Sequence, residues 1–220
     1  MNRWIDLDTP HGCIRAWRSE PAGPSRGAIV VLQEIFGVNA HIRDVTDRFA
    51  QAGFVALAPA LFDPVERDVE LEYDASGIAR GLALTRALGI DRAVDLANAS
   101  ASLLQAEGLR TGAVGFCWGG TIALLANTRL GLPSVSYYGG RNVQFLDEPL
   151  RAPMMFHFGS QDRSISAADV EQHREKYPAA TVHVYHAGHG FNCEPRADYD
   201  AASAAQAWQR SIDFFEENLR

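Results

Sequence analysis

The sequence predicts an α/β fold: an open, mostly parallel sheet with helices on both faces and an antiparallel hairpin at its start. Three observations predict it. Short continuous apolar runs such as Ala28-Ile29-Val30-Val31-Leu32 are what a strand needs when both of its faces are covered. Between such runs lie stretches with apolar residues at helical spacing, the first of them Ile42, Val45, Phe49 and Ala52. Their alternation builds βαβ units, whose crossovers make neighbouring strands parallel.

The elements follow in order. Apolar and polar residues alternate around Trp4, Ile5, Ile14 and Trp17, and Thr9-Pro10-His11-Gly12 breaks the pattern, so two antiparallel strands are expected before Pro21 to Pro24. The Ala28 to Leu32 strand leads to the helix of residues 40 to 51, which Gly53 closes, and then to the strand Phe54 to Ala58. Residues 59 to 89 contain Pro64, Gly77, Gly81 and mixed charges. They are expected to form an irregular excursion with room for one short helix, too short for a cap domain.

Asp91 to Glu107 carries Ala93, Leu96, Ala97, Ser100, Leu103 and Leu104 on one helical stripe, with Gly108 after it. Strands are expected at Ser134 to Tyr138, Met154 to Phe158 and Thr181 to Tyr185. Ser166 caps a helix reaching Tyr177, and Ala201 to Leu219 forms a closing amphipathic helix.

With 220 residues, a charged fraction of 21% and a hydrophobic fraction of 47%, a single domain over 1–220 is expected. The formal charge of −7 argues against nucleic acid as a partner. The segment Met1 to Asp6 has no apolar signal-peptide core, and no run is long enough for a bilayer, so a cytoplasmic protein without a membrane partner is expected. A monomer is the expected state, with an oligomer left open. The three cysteines, Cys13, Cys117 and Cys193, are expected to be reduced thiols.

Cys117 stands out among them. Gly115-Phe116-Cys117-Trp118-Gly119-Gly120 joins an apolar strand to an apolar helix, the setting of a nucleophile elbow. Glycines on either side let strand and helix approach, and the helix amino end favours a thiolate. A lone cysteine reads first as a small buried apolar residue, and the flanking pattern shifts the reading of Cys117 toward a nucleophile. Its partners decide between the two readings. In a parallel sheet, ligands bind beyond the carboxyl ends of the strands, and two such ends carry Gly159-Ser160-Gln161-Asp162 and Ala187-Gly188-His189-Gly190-Phe191. The order Cys117, Asp162, His189 is the nucleophile, acid, base order of the α/β-hydrolase arrangement. The imidazole would take or hold the thiol proton, and the carboxylate would orient the ring.

His183, His186 and His189 recur every third residue, but on a strand His183 and His186 face opposite sides, so no metal and no cofactor are expected. Glu34 follows an apolar strand and would sit at the same edge as a second acid near the thiol, or else form a surface ion pair with Arg43 or Arg48.

Together, Glu34-Ile35-Phe36-Gly37-Val38-Asn39, the cysteine elbow, Gly159 to Asp162 and Ala187 to Phe191 closely resemble the dienelactone hydrolase family, over nearly the whole chain. The resemblance implies a compact α/β-hydrolase that opens a carboxylate-bearing enol-lactone, dienelactone to maleylacetate, in the breakdown of aromatic compounds. It implies that Cys117 attacks the carbonyl, His189 moves protons and Asp162 orients His189. It implies an oxyanion hole from the backbone N–H groups of Ile35 and Trp118, and a Glu34 that helps deprotonate a resting neutral thiol.

One position departs from the family pattern. Cys193 stands where the best-known members carry the arginine that binds the substrate carboxylate, and Arg196 or Arg80 is expected to supply that charge instead. The alternatives are a broad hydrolase of small esters or thioesters and, in another class, a catalytically inactive binding module.

Overall fold

Pro10 and His11 turn the chain back on itself, so that β1 (Asn2–Thr9) and β2 (Gly12–Ser19) pair antiparallel from Asn2 opposite Ser19 to Thr9 opposite Gly12. Gly12 closes this two-residue loop at φ 98°, in the region that favours glycine. Trp4 and Trp17 face each other across the pair, their rings edge to face at 5.5 Å. The computed structural model describes residues 1–219, which divide into two compact units: Met1–Gly112 with Leu219, and Ala113–Asn218.

In the first unit, β2 runs antiparallel to β4 (Val55–Pro59), and β4 runs parallel to β3 (Ala28–Leu32). Every residue of β3 and β4 is buried, as their unbroken apolar runs require. The α1 helix (Ala40–Gln51) is capped by the Asn39 side chain, which accepts from the Ile42 N–H at 3.2 Å, and buries Ile42, Val45 and Phe49. The α3 helix (Ile90–Ala106) ends near Glu107, whose carboxylate takes two hydrogen bonds from the Arg18 guanidinium of β2, at 2.6 and 2.7 Å.

One expectation is corrected here. The irregular excursion contains a regular 14-residue helix, α2 (Ala75–Leu88), capped by Asp74, which accepts from the Gly77 N–H at 2.7 Å. Gly77 and Gly81 lie on its buried face with Leu84 and Leu88. A Cβ at Gly81 would meet the Ile35 carbonyl oxygen at 2.2 Å, and one at Gly77 the Glu72 carbonyl oxygen at 1.9 Å. These glycines permit close approach to neighbouring backbone.

The second unit begins within the strand β5 (Thr111–Phe116), which pairs in parallel with β6 (Ser134–Tyr137); β7 (Met154–Gly159) and β8 (Thr181–Tyr185) continue in order. The α4 helix (Trp118–Leu130) is buried from Trp118 to Thr128 and ends in Gly131 at φ 73°. The α5 helix (Ala167–Lys176) starts with a Ser166–Asp169 capping box. The closing helix is α6 (Ala201–Asn218).

Neighbouring residues of β7 show how α5 and α6 cover it. Phe156 and Phe158 each pack on His173 of α5 at 4.8 Å, whereas His157 between them bonds Ser211 of α6 at 3.1 Å. Successive strand side chains point to opposite faces, so these two helices lie on opposite sides of β7. The expected order of strands and helices is therefore observed, with the carboxyl ends of β5, β6, β7 and β8 on one edge of the unit.

Candidate active site

At the elbow the chain must pass from β5 into α4 within one residue. Cys117 does this with φ 53° and ψ −116°, a left-handed conformation that a side chain adopts only under strain. Its N–H donates to the Tyr137 carbonyl at 3.0 Å, and its own carbonyl accepts from the Gly120 N–H at 3.0 Å. Only glycine fits around it: a Cβ at Gly115 would sit 1.8 Å from the Gly119 oxygen, and one at Gly120 would sit 2.7 Å from the Tyr137 oxygen. Trp118 opens α4, so its peptide N–H points toward the amino end of that helix, where an anion is favoured.

Past β7, the carboxylate of Asp162 is fixed from both sides. Its Oδ1 accepts from the Ser164 N–H at 2.7 Å, its Oδ2 lies 2.7 Å from Nδ1 of His189, and the side chain is fully buried. The loops after β7 and β8 are tied together by Ser160 N–H to Tyr185 oxygen at 2.7 Å and Gln161 N–H to Ala187 oxygen at 3.0 Å. Gly159 allows this, since a Cβ there would meet the Ala187 oxygen at 2.2 Å.

The second nitrogen of His189, Nε2, lies 3.2 Å from the Cys117 sulfur. Burial alone would push the imidazolium pKa down, but the Cys117 sulfur beside it and the Asp162 carboxylate outweigh it and push it up to about 10. With Nδ1–H donating to Asp162, Nε2 is left to receive a proton from the thiol or to hold it facing a thiolate. The structure thus brings Cys117, His189 and Asp162 into one hydrogen-bonded line.

The remaining sequence-predicted residues fall as follows. Glu34 and Ile35 follow β3 and are buried, at 1% and 7% exposure. Cys193 is fully buried. Arg196 lies against the residue after His189, because a Cβ at Gly190 would fall 2.6 Å from its Nε. Arg80 stands on α2, half exposed, with its guanidinium paired to Glu66. His183 stacks on His157 at 5.5 Å and His186 meets the Gln161 amide at 2.9 Å, while His189 engages Asp162 and Cys117. These three histidines therefore serve different partners.

Tyr138 was not singled out from the sequence, although it directly follows β6 and its ring lies 5.1 Å from that of His189. The sequence places the end of this strand at Tyr138 itself, whereas β6 ends at Tyr137, so the rule that located Asp162 and His189 passes over it.

Residues 14–219 match the model of the dienelactone hydrolase family. The chain belongs to the dienelactone hydrolase family. A protein of Synechocystis sp. named for carboxymethylenebutenolidase is 33% identical over 94% of this chain and 93% of its own length. A Bradyrhizobium sp. protein named for 2-oxo-3-(5-oxofuran-2-ylidene)propanoate lactonase is 29% identical over 98% of this chain and 94% of its own length. A crystal structure of a Klebsiella pneumoniae protein described as a dienelactone hydrolase aligns with a TM-score of 0.85 at 28% identity, covering 98% of each chain. As a member of the dienelactone hydrolase family, the chain has the α/β-hydrolase fold and is an ester or lactone hydrolase of the carboxymethylenebutenolidase-like class. Among the described residues no helix is long and apolar enough to cross a membrane.

Proposed function

We propose that this enzyme opens a carboxylate-bearing enol-lactone of the dienelactone type through an acyl-enzyme on Cys117. The observation that carries the reading is the line from Cys117 Sγ to His189, 3.2 Å, and from His189 to Asp162, 2.7 Å. The sulfur attacks the lactone carbonyl, and the ring C–O bond breaks to release an enolate that takes the proton from His189. Water, deprotonated by His189, then attacks the thioester and returns the thiol with a free carboxylate. Asp162 holds the imidazole in the tautomer and orientation that both proton transfers need.

The N–H groups of Trp118 and Ile35 take the family role of oxyanion hole, and Glu34 takes the family role of assisting deprotonation of the sulfur. Arg196 is proposed as the cation for the substrate carboxylate, since it lies against Gly190, next to the base. Arg80, which stands on α2 and pairs with Glu66, is the other candidate. The name of the Bradyrhizobium relative describes an ylidene furanone bearing an oxo acid, which supports an anionic enol-lactone as substrate class. We further propose one working domain over 1–220, a monomer in the cytoplasm, in the breakdown of aromatic compounds.

A second reading, a broad hydrolase of small neutral esters or thioesters, is favoured by one observation: Cys193 occupies the position of the family arginine. Turnover of dienelactone and of p-nitrophenyl acetate by wild type and Cys117→Ala tests the nucleophile. Loss of both activities is expected, and wild-type rates in the variant would refute it.

A further inference from the structure

The base of the proposed triad is held on one side by Asp162, on another by Cys117, and across its ring by Tyr138. We propose that Tyr138 is a positioning residue for His189, a ring delivered by a left-handed backbone to hold the imidazole in line with the sulfur. This inference rests on the triad reading above and adds a residue to it.

Three observations carry it. The first is conformation. Among the described residues Tyr138 is one of three non-glycine residues at positive φ, at 40°, and another is Cys117 itself. Glycines follow at 139 and 140, so the segment has residues suited to such a backbone, yet the strained position carries a tyrosine. What a glycine there could not supply is the ring.

The second observation is contact. The Tyr138 ring is fully buried, 5.1 Å from the His189 ring at 59°, 5.4 Å from Phe191 at 73° and 6.4 Å from Phe116 at 53°. Phe116 precedes the nucleophile and Phe191 lies two residues after the base. One side chain therefore packs on the segment of the nucleophile and on the segment of the base. Tilted aromatic pairs at these distances are favourable, and an aromatic ring also stabilises a neighbouring cation such as imidazolium.

The third observation is anchorage. The peptide joining Tyr137 to Tyr138 donates its N–H to the His157 carbonyl at 2.8 Å and accepts the Cys117 N–H on its carbonyl at 3.0 Å. This one planar unit therefore bonds both β7 and the elbow, and it carries the ring. Tyr137 beside it is fixed in turn by its hydroxyl, 2.8 Å from the Ser211 oxygen. The ring thus stands on a mount shared with the nucleophile.

A positioning role predicts a loss in the chemical step without a loss in binding. With p-nitrophenyl acetate as probe, Tyr138→Leu is expected to lower kcat by about 10- to 100-fold, the scale of a small misplacement of reacting groups. KM should stay within about twofold, because the ring is fully buried and not proposed to touch substrate. The alkaline limb of the pH profile should move down, since the imidazolium loses a neighbour that favours it. Tyr138→Phe keeps the ring and is expected to restore most of the lost kcat and the position of the limb.

Tyr138→Met serves as a second variant of similar length where the leucine protein does not fold, and thermal melting checks each protein. A folded Leu or Met variant with wild-type kcat and an unmoved alkaline limb would overturn the proposal, as would a Phe variant as impaired as the Leu variant. Failure of the triad reading itself looks different, because Cys117→Ala would then retain turnover.

Discussion

Nε2 of His189 lies 3.2 Å from Sγ of Cys117, and this single approach joins the loop after β8 to the elbow after β5. The two residues are 72 positions apart in sequence, and each has its own local reason to be there: a strained elbow for the sulfur, and for the imidazole a loop tied to that of Asp162. In the proposed mechanism this approach lets the imidazole accept the thiol proton and later return it.

Removing the carboxylate that orients the ring is the first test. Asp162→Asn is expected to lower kcat/KM by about 10⁴-fold, as loss of the orienting acid does in related triads. With the carboxylate gone, the His189 pKa should fall below its value of about 10, so the alkaline limb of kcat/KM moves to lower pH. Profiles from pH 6 to pH 10.5 on the two proteins read both effects, and an unmoved limb would contradict the arrangement.

Arg196 provides a test of substrate charge. Arg196→Ala is expected to raise KM for dienelactone by about tenfold, the scale of one charge-assisted hydrogen bond, while leaving p-nitrophenyl acetate within about twofold. Equal effects on the two substrates would favour the neutral-ester reading.

The closely packed α2 helix leads to a prediction about stability. A methyl group at Gly81 would meet the Ile35 carbonyl oxygen at 2.2 Å, so Gly81→Ala should destabilise by about 1–3 kcal/mol through forced displacement, despite alanine being the better helix former. Urea denaturation measures this. A stabilised variant would show that α2 does not approach the backbone so closely.

Buried histidines set the acid side of stability. His157 is fully buried among Tyr185, Ser211, His183 and Arg210, and burial, then the charges of His183 and Arg210, hold its pKa well below 6.5. Burial also lowers the pKa of His173. Between their folded values and the unfolded value of about 6.5, the unfolded chain binds protons that the folded chain does not, so stability falls as pH drops below about 6.5. The slope approaches about 1.4 kcal/mol per pH unit for each histidine that stays neutral. His189 has the opposite sign: its raised pKa favours the folded state below pH 6.5, and that contribution is lost as pH rises through about 10. Urea midpoints from pH 7 to pH 5 are expected to flatten in His157→Gln; an unchanged slope would remove His157 from the account.

The strands and the approach of Cys117, His189 and Asp162 were legible because each leaves a local signature. The apolar run of β3, the glycines around Cys117 and the polar residues past β7 and β8 each follow from what a covered parallel sheet requires. The length of α2 was hidden because Gly77 and Gly81, read locally, are helix breakers. Their purpose lies in the Glu72 and Ile35 carbonyls they approach, which no local pattern reveals. Tyr138 was hidden for a related reason: its importance comes from a positive φ and from rings 51 and 53 residues further on, His189 and Phe191.

Mass analysis of the enzyme quenched during turnover of dienelactone tests the central claim most directly. The account predicts a transient adduct with the mass of the opened lactone on the peptide containing Cys117, and neither adduct nor turnover in Cys117→Ala. Turnover at the wild-type rate in Cys117→Ala, with no adduct in either protein, would contradict it.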